Sequence, residues 1–377
     1  MKAPYPILHV AVNMNRGGAE TLIMNLFRHI DRSQIQFDFL TFREGSFDEE
    51  IRRLGGHIHR LPYINESGAI QFWKSLIHFF RTHPEYHIVH SHLDKMSGFI
   101  LSAAKKAGIP FRIAHSHNTQ SEGSWLIKGV KWYAGHQLTR SATHHLACST
   151  LAAQWLYGNT TSADILKNGI DTRHFHFSQA ERHQIRGTLH LHEDAFVVGH
   201  VGRMNEQKNH MYLLAVFSEI IEKNKCAHLL LIGEGPLKAE LKHKVMRLQL
   251  QEHVHFLGVR EDVHQLLQAM DLMLFPSRHE GLPVSLIEAQ GAGLPCLISD
   301  SISREVDVGA NLVAFESLHH SPSIWADRAL KLKRSKGNMK NWIKKAGYDI
   351  RDSASWLENY YLELYIKQEA LILNERR

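Results

Sequence analysis

The chain lacks the features that would place it across a membrane, in an oxidising compartment or among disordered proteins. No apolar run approaches the roughly 20 residues needed to cross a bilayer. The opening M-K-A-P-Y-P-I-L-H-V-A-V is too short and too quickly interrupted to read as a signal peptide. Only three cysteines occur, Cys148, Cys226 and Cys296, widely spaced in apolar or strand-like settings. They read as reduced core residues without zinc spacing, so a cytoplasmic location is expected. Low-complexity segments and internal repeats are missing as well. Helix-turn-helix, zinc-finger and aromatic RNA-binding patterns are also missing, so nucleic acid is not an expected partner.

What remains is the composition of a soluble globular protein, 44% hydrophobic and 22% charged, with a length of 377 that suits two cores. The formal charge of +6 is unevenly spread. Residues 1–170 hold 18 Lys and Arg against 12 Asp and Glu, whereas residues 171–377 hold 26 of each. An anionic membrane surface or a phosphorylated acceptor would explain a basic first half, and a merely solvated face would explain it equally.

Short apolar runs alternate with helical patterns throughout. Strands are expected over 7–13, 35–42, 57–61, 87–90, 111–115, 143–148 and 165–166, with helices over 19–30, 48–54, 70–81, 95–107 and 125–140 between them. The second half repeats the scheme with strands over 196–201, 228–232, 254–256, 271–275 and 295–299. It then turns mostly helical, ending in a long helix over 356–373. Such alternation implies parallel sheets covered by helices, with ligands beyond the carboxyl ends of the strands.

Several stretches at those ends carry chemistry. Asn15-Arg16-Gly17-Gly18 lets backbone approach a ligand before a helix starts. Histidine is abundant at 29 residues, and His90/His92 and His115/His117 form H-x-H pairs that would each share one face of a strand. No third ligand with metal-site spacing accompanies either pair, so a structural metal is not expected. In the segment 124–140, Leu126, Val130, Tyr133, Ala134 and Leu138 follow core spacing. Trp125, Lys128 and Trp132 form a second face with the composition of an interfacial docking helix.

Gly202-Arg203 and Lys208-Asn209 flank a loop after a strand, where a guanidinium and an ammonium together can neutralise a diphosphate. The stretch Arg278 to Gly293, R-H-E-G-L-P-V-S-L-I-E-A-Q-G-A-G, follows another strand. Gly281, Leu282 and Pro283 open a helix whose N-terminus suits a phosphate. Glu280 stands before that helix and Glu288 lies within it, placed to meet a polar group and a diol. A diphosphate flanked by two sugars fits; so does a plain strand, turn and helix with solvated glutamates. A D-x-D cation motif is absent, and the two basic side chains could stand in for a divalent metal.

This stretch resembles the E-x7-E signature of retaining GT-B glycosyltransferases of family four. Gly202 to Asn209, Gly233-Glu234-Gly235-Pro236, Leu257-Gly258, the glycine loop and Asn168-Gly169-Ile170-Asp171 with Phe175 extend the resemblance over nearly the whole chain. It implies an α/β GT-B architecture, with two Rossmann-like domains facing across a cleft. Residues 1–170 would bind the acceptor, 171–349 would bind the donor, and a terminal helix over about 350–377 would cross back to the first domain. It assigns Arg203 and Lys208 to the donor phosphates, and Gly235 and Leu257 to the nucleotide. Glu280, Gly281 and Leu282 are assigned to the sugar and phosphate, Glu288 to the ribose, and Gly17 and Gly18 to the cleft. His117 matches a histidine near the anomeric centre, although the acidic neighbour frequent in the family is missing.

The implied reaction is metal-free, retaining transfer from a nucleoside-diphosphate sugar, UDP-linked, to a glycan or polyprenyl-linked acceptor in exopolysaccharide assembly. The enzyme would be peripheral on the inner face of the membrane. A nucleotide-sugar epimerase of the same architecture and a catalytically idle scaffold subunit are the alternatives.

Overall fold

The computed structural model describes residues 3–120, 125–159 and 161–375, with the side chains of 125–128 and 371–375 outside the description. The chain divides into two compact units, one of Met1–Gly169 with Ile350–Arg377 and one of Ile170–Asp349.

The first unit is built on a seven-stranded sheet in the order β3-β2-β1-β4-β5-β6-β7. Its strands are β1 Tyr5–Val10, β2 Ile35–Thr41, β3 Ile58–Arg60, β4 Ile88–Ser91, β5 Phe111–Ser116, β6 His144–Ala147 and β7 Asp164–Ile165. All neighbours pair in parallel. Buried on both faces, these strands read as nearly continuous apolar runs, which is why sequence locates them. The order reverses beside β1, because β2 lies on one side of it and β4 on the other; loops at such a switch point leave a crevice at the carboxyl ends.

The helix Ile350–Glu375 closes this unit. Its Ile350, Ala354, Leu357, Tyr361, Leu364 and Tyr365 enter the same core as Ile7, Phe27, Phe37 and Phe39. Each large apolar side chain buried this way contributes about 1.5–3 kcal/mol. Tyr365 also stacks on Tyr5 with ring centroids 4.1 Å apart and donates from its hydroxyl to the Pro6 carbonyl at 2.8 Å. The helix begins six residues before the expected start, because Asp352, Ser353 and Ser355 mask a turn whose inward residues are Ile350 and Ala354.

The second unit carries a six-stranded parallel sheet in the order β10-β9-β8-β11-β12-β13. These strands are β8 Phe196–Val201, β9 Ala227–Ile232, β10 Val254–Gly258, β11 Leu272–Phe275, β12 Cys296–Ser299 and β13 Val313–Glu316. Here the switch point falls between β8 and β11. The strand β13 corrects the expectation of a mostly helical tail: four residues on a sheet edge, with a burial pattern that alternates, give no apolar run.

The polar stretch before β8 folds as a helix, Gln179–Thr188, whose Arg182 and Arg186 both grip Asp271, at 2.6 and 2.7 Å. Cys148 and Cys296 are buried, but Cys226 is exposed, because it sits in the turn that precedes β9 rather than in the strand.

The helix Trp125–Ser141 buries a narrow stripe. Ala134 and Leu138 are inaccessible, and Gly98 lies so close that a Cβ there would strike the Ala134 carbonyl. Val130 and Tyr133, expected in the core, are instead exposed together with Trp132. A helix pressed backbone to backbone against its neighbour leaves little depth for larger side chains on its flanks. Trp125, Leu126 and Lys128 lie outside the described side chains.

Candidate donor site in the second unit

Four loops meet at the carboxyl ends of β10, β9, β8 and β11, neighbours in the sheet. After β8 the chain runs through Gly202 and Arg203 into a single short turn, Glu206–Lys208, capped where the Asn205 side chain accepts from the Lys208 N–H at 3.3 Å. Asn209 then adopts a left-handed φ of 55° and starts the helix His210–Lys223. The loop after β9 is fastened to this segment: Met204 N–H donates to the Glu234 carbonyl at 2.9 Å, and Leu237 N–H to Met204 at 3.1 Å. Only glycine fits at 235, because a Cβ would strike the Met204 carbonyl, and Gly233 takes a φ of 130° beside Gly202. Leu257 is the penultimate residue of β10, and the Gly258 carbonyl accepts from Gly233 N–H at 2.8 Å.

The loop after β11 meets the loop after β8 at the switch point. Arg278 N–H donates to the Gln207 carbonyl at 2.8 Å, and the Gln207 amide donates to the His279 carbonyl at 2.9 Å. The central contact is an ion pair. Lys208 Nζ lies 2.7 Å from Glu280 Oε1, with side chains 14% and 8% exposed, and 4.7 Å from the centre of the Phe275 ring. Pro283 caps the helix Val284–Gly291, and Gly281 and Leu282 precede it.

Two charged groups stand outside this pairing. Among the described residues Arg203 makes no side-chain ion pair or hydrogen bond, and it is exposed. Glu288, half-buried on the helix, likewise has no partner for its carboxyl, and loss of solvation pushes its pKa up to about 7. An anion with hydroxyls beside it would give both groups partners.

In the first unit, Gly17 caps the helix Gly18–His29 after β1, with φ −109° and ψ 173°. Neither glycine uses the left-handed region; Gly17 leaves room for the Glu20 carboxylate, which a Cβ would strike, and the space beside Gly18 is open. His117 follows β5. Its N–H donates to Asp94 Oδ1 at 3.0 Å, and its Nε2 lies 2.8 Å from His92 Nδ1, while its Nδ1 is enclosed with no hydrogen-bond partner. Burial lowers its pKa to about 3, so the ring is neutral at physiological pH.

The two H-x-H pairs do acquire a third histidine, which their spacing could not show. His9 on β1, His90 and His92 at β4, and His115 and His117 at β5 gather on one face of three adjacent strands. His9 Nδ1 lies 2.9 Å from His92 Nε2, His90 Nε2 lies 3.2 Å from His115 Nδ1, and His90 Nδ1 lies 2.6 Å from the Tyr361 hydroxyl.

Two Rossmann-like units, each built on a parallel sheet and one with basic and acidic side chains gathered at its switch point, define a glycosyltransferase of the GT-B fold. The chain belongs to glycosyltransferase family 4: the profile "Glycosyltransferase Family 4" matches residues 16–174 and "Glycosyl transferases group 1" matches residues 195–333. It is 38% identical over 372 residues to the putative glycosyltransferase EpsF of Bacillus subtilis (strain 168), covering 94% of this chain and 96% of that one. It is 29% identical over 305 residues to the UDP-Gal:alpha-D-GlcNAc-diphosphoundecaprenol alpha-1,3-galactosyltransferase of Escherichia coli, covering 78% and 79%. Among solved structures, Anabaena HepE in complex with UDP-glucose superposes with a TM-score of 0.78 at 18% identity, covering 95% of this chain and 99% of that one. The chain is thus an enzyme, a glycosyltransferase of the polysaccharide-biosynthesis type.

Proposed function

We propose that the enzyme transfers a hexose from a UDP-sugar, with retention at the anomeric carbon, to a lipid-linked glycan during exopolysaccharide assembly. The observation that carries this reading is the Lys208–Glu280 pair at the switch point, with Arg203 and Glu288 unpartnered among the described residues. The uridine diphosphate would lie across the carboxyl ends of β8 to β11. Gly235 gives its phosphates and ribose room against the loop backbone, Leu257 faces the base, and Glu288 accepts the ribose hydroxyls.

Cleavage of the sugar–phosphate bond builds negative charge on the leaving diphosphate and positive character on the anomeric carbon. Arg203 and Lys208 meet the first, together with the backbone at Gly281 and Leu282, so the step needs no cation in this site. Glu280 holds Lys208 in place and offers its carboxylate to sugar hydroxyls. The acceptor hydroxyl attacks the same face that the phosphate leaves, and the departing phosphate oxygen takes its proton. The first unit would bind the acceptor.

The names of the relatives support the donor and acceptor classes: the E. coli enzyme is named for UDP-Gal and a diphosphoundecaprenol acceptor, and HepE is bound to UDP-glucose. Membrane contact would come from the exposed Val130, Trp132 and Tyr133 on the basic first half. No described helix is long and apolar enough to cross a membrane. Incubating the enzyme with UDP-sugars and a short-chain diphospho-lipid glycan tests the reading. Retained anomeric configuration in the product is expected; isomerised donor without transfer would identify an epimerase instead.

A further inference from the structure

We propose that the histidine cluster of the first unit binds one zinc-class divalent ion through His92, His115 and His117. One nitrogen from each of these rings lies within 4.8 Å of the others, and no carboxylate belongs to the set. A second triad, His9, His90 and His92, satisfies the same distance, but three observations favour the first.

The first observation is the accounting of nitrogens. His115 Nε2 and His117 Nδ1 are both enclosed without a hydrogen-bond partner among the described residues. A buried polar atom left this way is costly, and two of them on one face of β5, with rings 4.0 Å apart, call for an occupant. In the second triad His9 alone has such an atom.

The second is the support behind the rings. Metal-binding imidazoles characteristically give their other nitrogen to a neighbour. His115 Nδ1 meets His90 Nε2 at 3.2 Å, and His90 in turn meets the Tyr361 hydroxyl. His92 Nε2 meets His9 Nδ1 at 2.9 Å. Enclosure without a carboxylate also favours neutral imidazole, the form that ligates.

The third is access. In the first triad two members, His92 and His117, are half-buried at the carboxyl ends of their strands and only His115 is buried, whereas in the second His9 and His90 are each only 1% exposed.

Imidazole suits zinc, copper, nickel and iron, and three such ligands leave a fourth position for water. With His117 Nδ1 and His115 Nε2 as ligands, His92 Nδ1 would exchange its 2.8 Å contact with His117 Nε2 for the ion. The ion would tie the ends of β4 and β5 together. Its ligands lie outside the donor-phosphate loops, and His117 alone is shared with the residues that the family resemblance assigns.

The test uses the full chain without a polyhistidine tag, stripped with chelator, desalted and titrated with Zn²⁺ and then Co²⁺. We expect one ion retained per chain, a raised Tm, and the intense visible absorption of four-coordinate Co²⁺. His92→Asn and His115→Asn should each weaken binding at least tenfold, while His192→Asn, at an exposed site, should not. Retention below about one tenth of an equivalent with no change in Tm would overturn the proposal and leave a hydrogen-bonded imidazole chain. Equal binding in wild type and both variants would also overturn it. Should the variants fail to fold, the Co²⁺ spectrum of the wild type decides, since a weak six-coordinate spectrum contradicts the site.

Discussion

Replacing Lys208 by methionine separates the structural role of the switch-point ion pair from its chemical role. The substitution keeps most of the side-chain volume and removes a cation 2.7 Å from a carboxylate that is only 8% exposed. Breaking an enclosed pair by deleting one partner costs about 3–5 kcal/mol when the remaining charge stays ionised. The expected loss is therefore about 3 kcal/mol or somewhat more. For a unit of this size, a loss of about 3 kcal/mol lowers Tm by roughly 6–12 °C.

The assay is thermal unfolding of wild type, Lys208→Met and the double variant Lys208→Met/Glu280→Gln. The double variant should recover most of the lost stability and none of the turnover. If Lys208→Met destabilises by under about 0.5 kcal/mol, or the double variant recovers none of the loss, the pair does not hold the loops together and the reasoning fails.

Arg203 gives the complementary case: it is exposed and unpartnered among the described residues, so Arg203→Ala should shift stability by under about 0.5 kcal/mol. If it meets charge on the leaving phosphate, the same change should lower kcat by about 10²–10³-fold, read by product formation at saturating donor. Glu288 predicts a pH dependence in donor affinity. Its pKa is raised to about 7, so the ionised acceptor of two hydroxyls forms as pH rises through that value. Calorimetry should then show tighter UDP-sugar binding at pH 8 than at pH 6 in wild type, and a flat profile in Glu288→Gln. Gly235→Ala should displace the loop at Met204 and weaken donor binding while leaving the first unit's helical content intact, as judged by fluorescence titration and circular dichroism. For the exposed face, Trp132→Ala should reduce sedimentation with anionic vesicles, and wild-type binding should fall with added salt.

Most strands were legible because parallel strands covered on both faces must be nearly continuous apolar runs; Phe196–Val201 and Leu272–Phe275 are examples. β13 was not, since a four-residue edge strand needs no such run. The helix Gln179–Thr188 escaped for a different reason. Its inward side is arginine, paired to Asp271 from another part of the chain, and charged residues read as solvent-facing until their partner is known. At the donor site each loop could be read by itself from its glycines and charges. That Lys208 and Glu280, 72 residues apart, meet each other could not, because pairing across a switch point depends on strand order. The histidine cluster shows the same limit. Spacing rules look for ligands along one segment, whereas His9 joins the two H-x-H pairs through the lateral order of β1, β4 and β5.

The central claim is that the gathered loops of the second unit bind a nucleoside-diphosphate sugar. It is tested most directly by titrating UDP-, GDP- and dTDP-sugars without acceptor into wild type and Glu280→Ala. The account predicts saturable, selective binding of one UDP-sugar with slow hydrolysis, both lost or strongly weakened in the variant. Absence of binding to every nucleotide sugar, or equal binding by the variant, would contradict it.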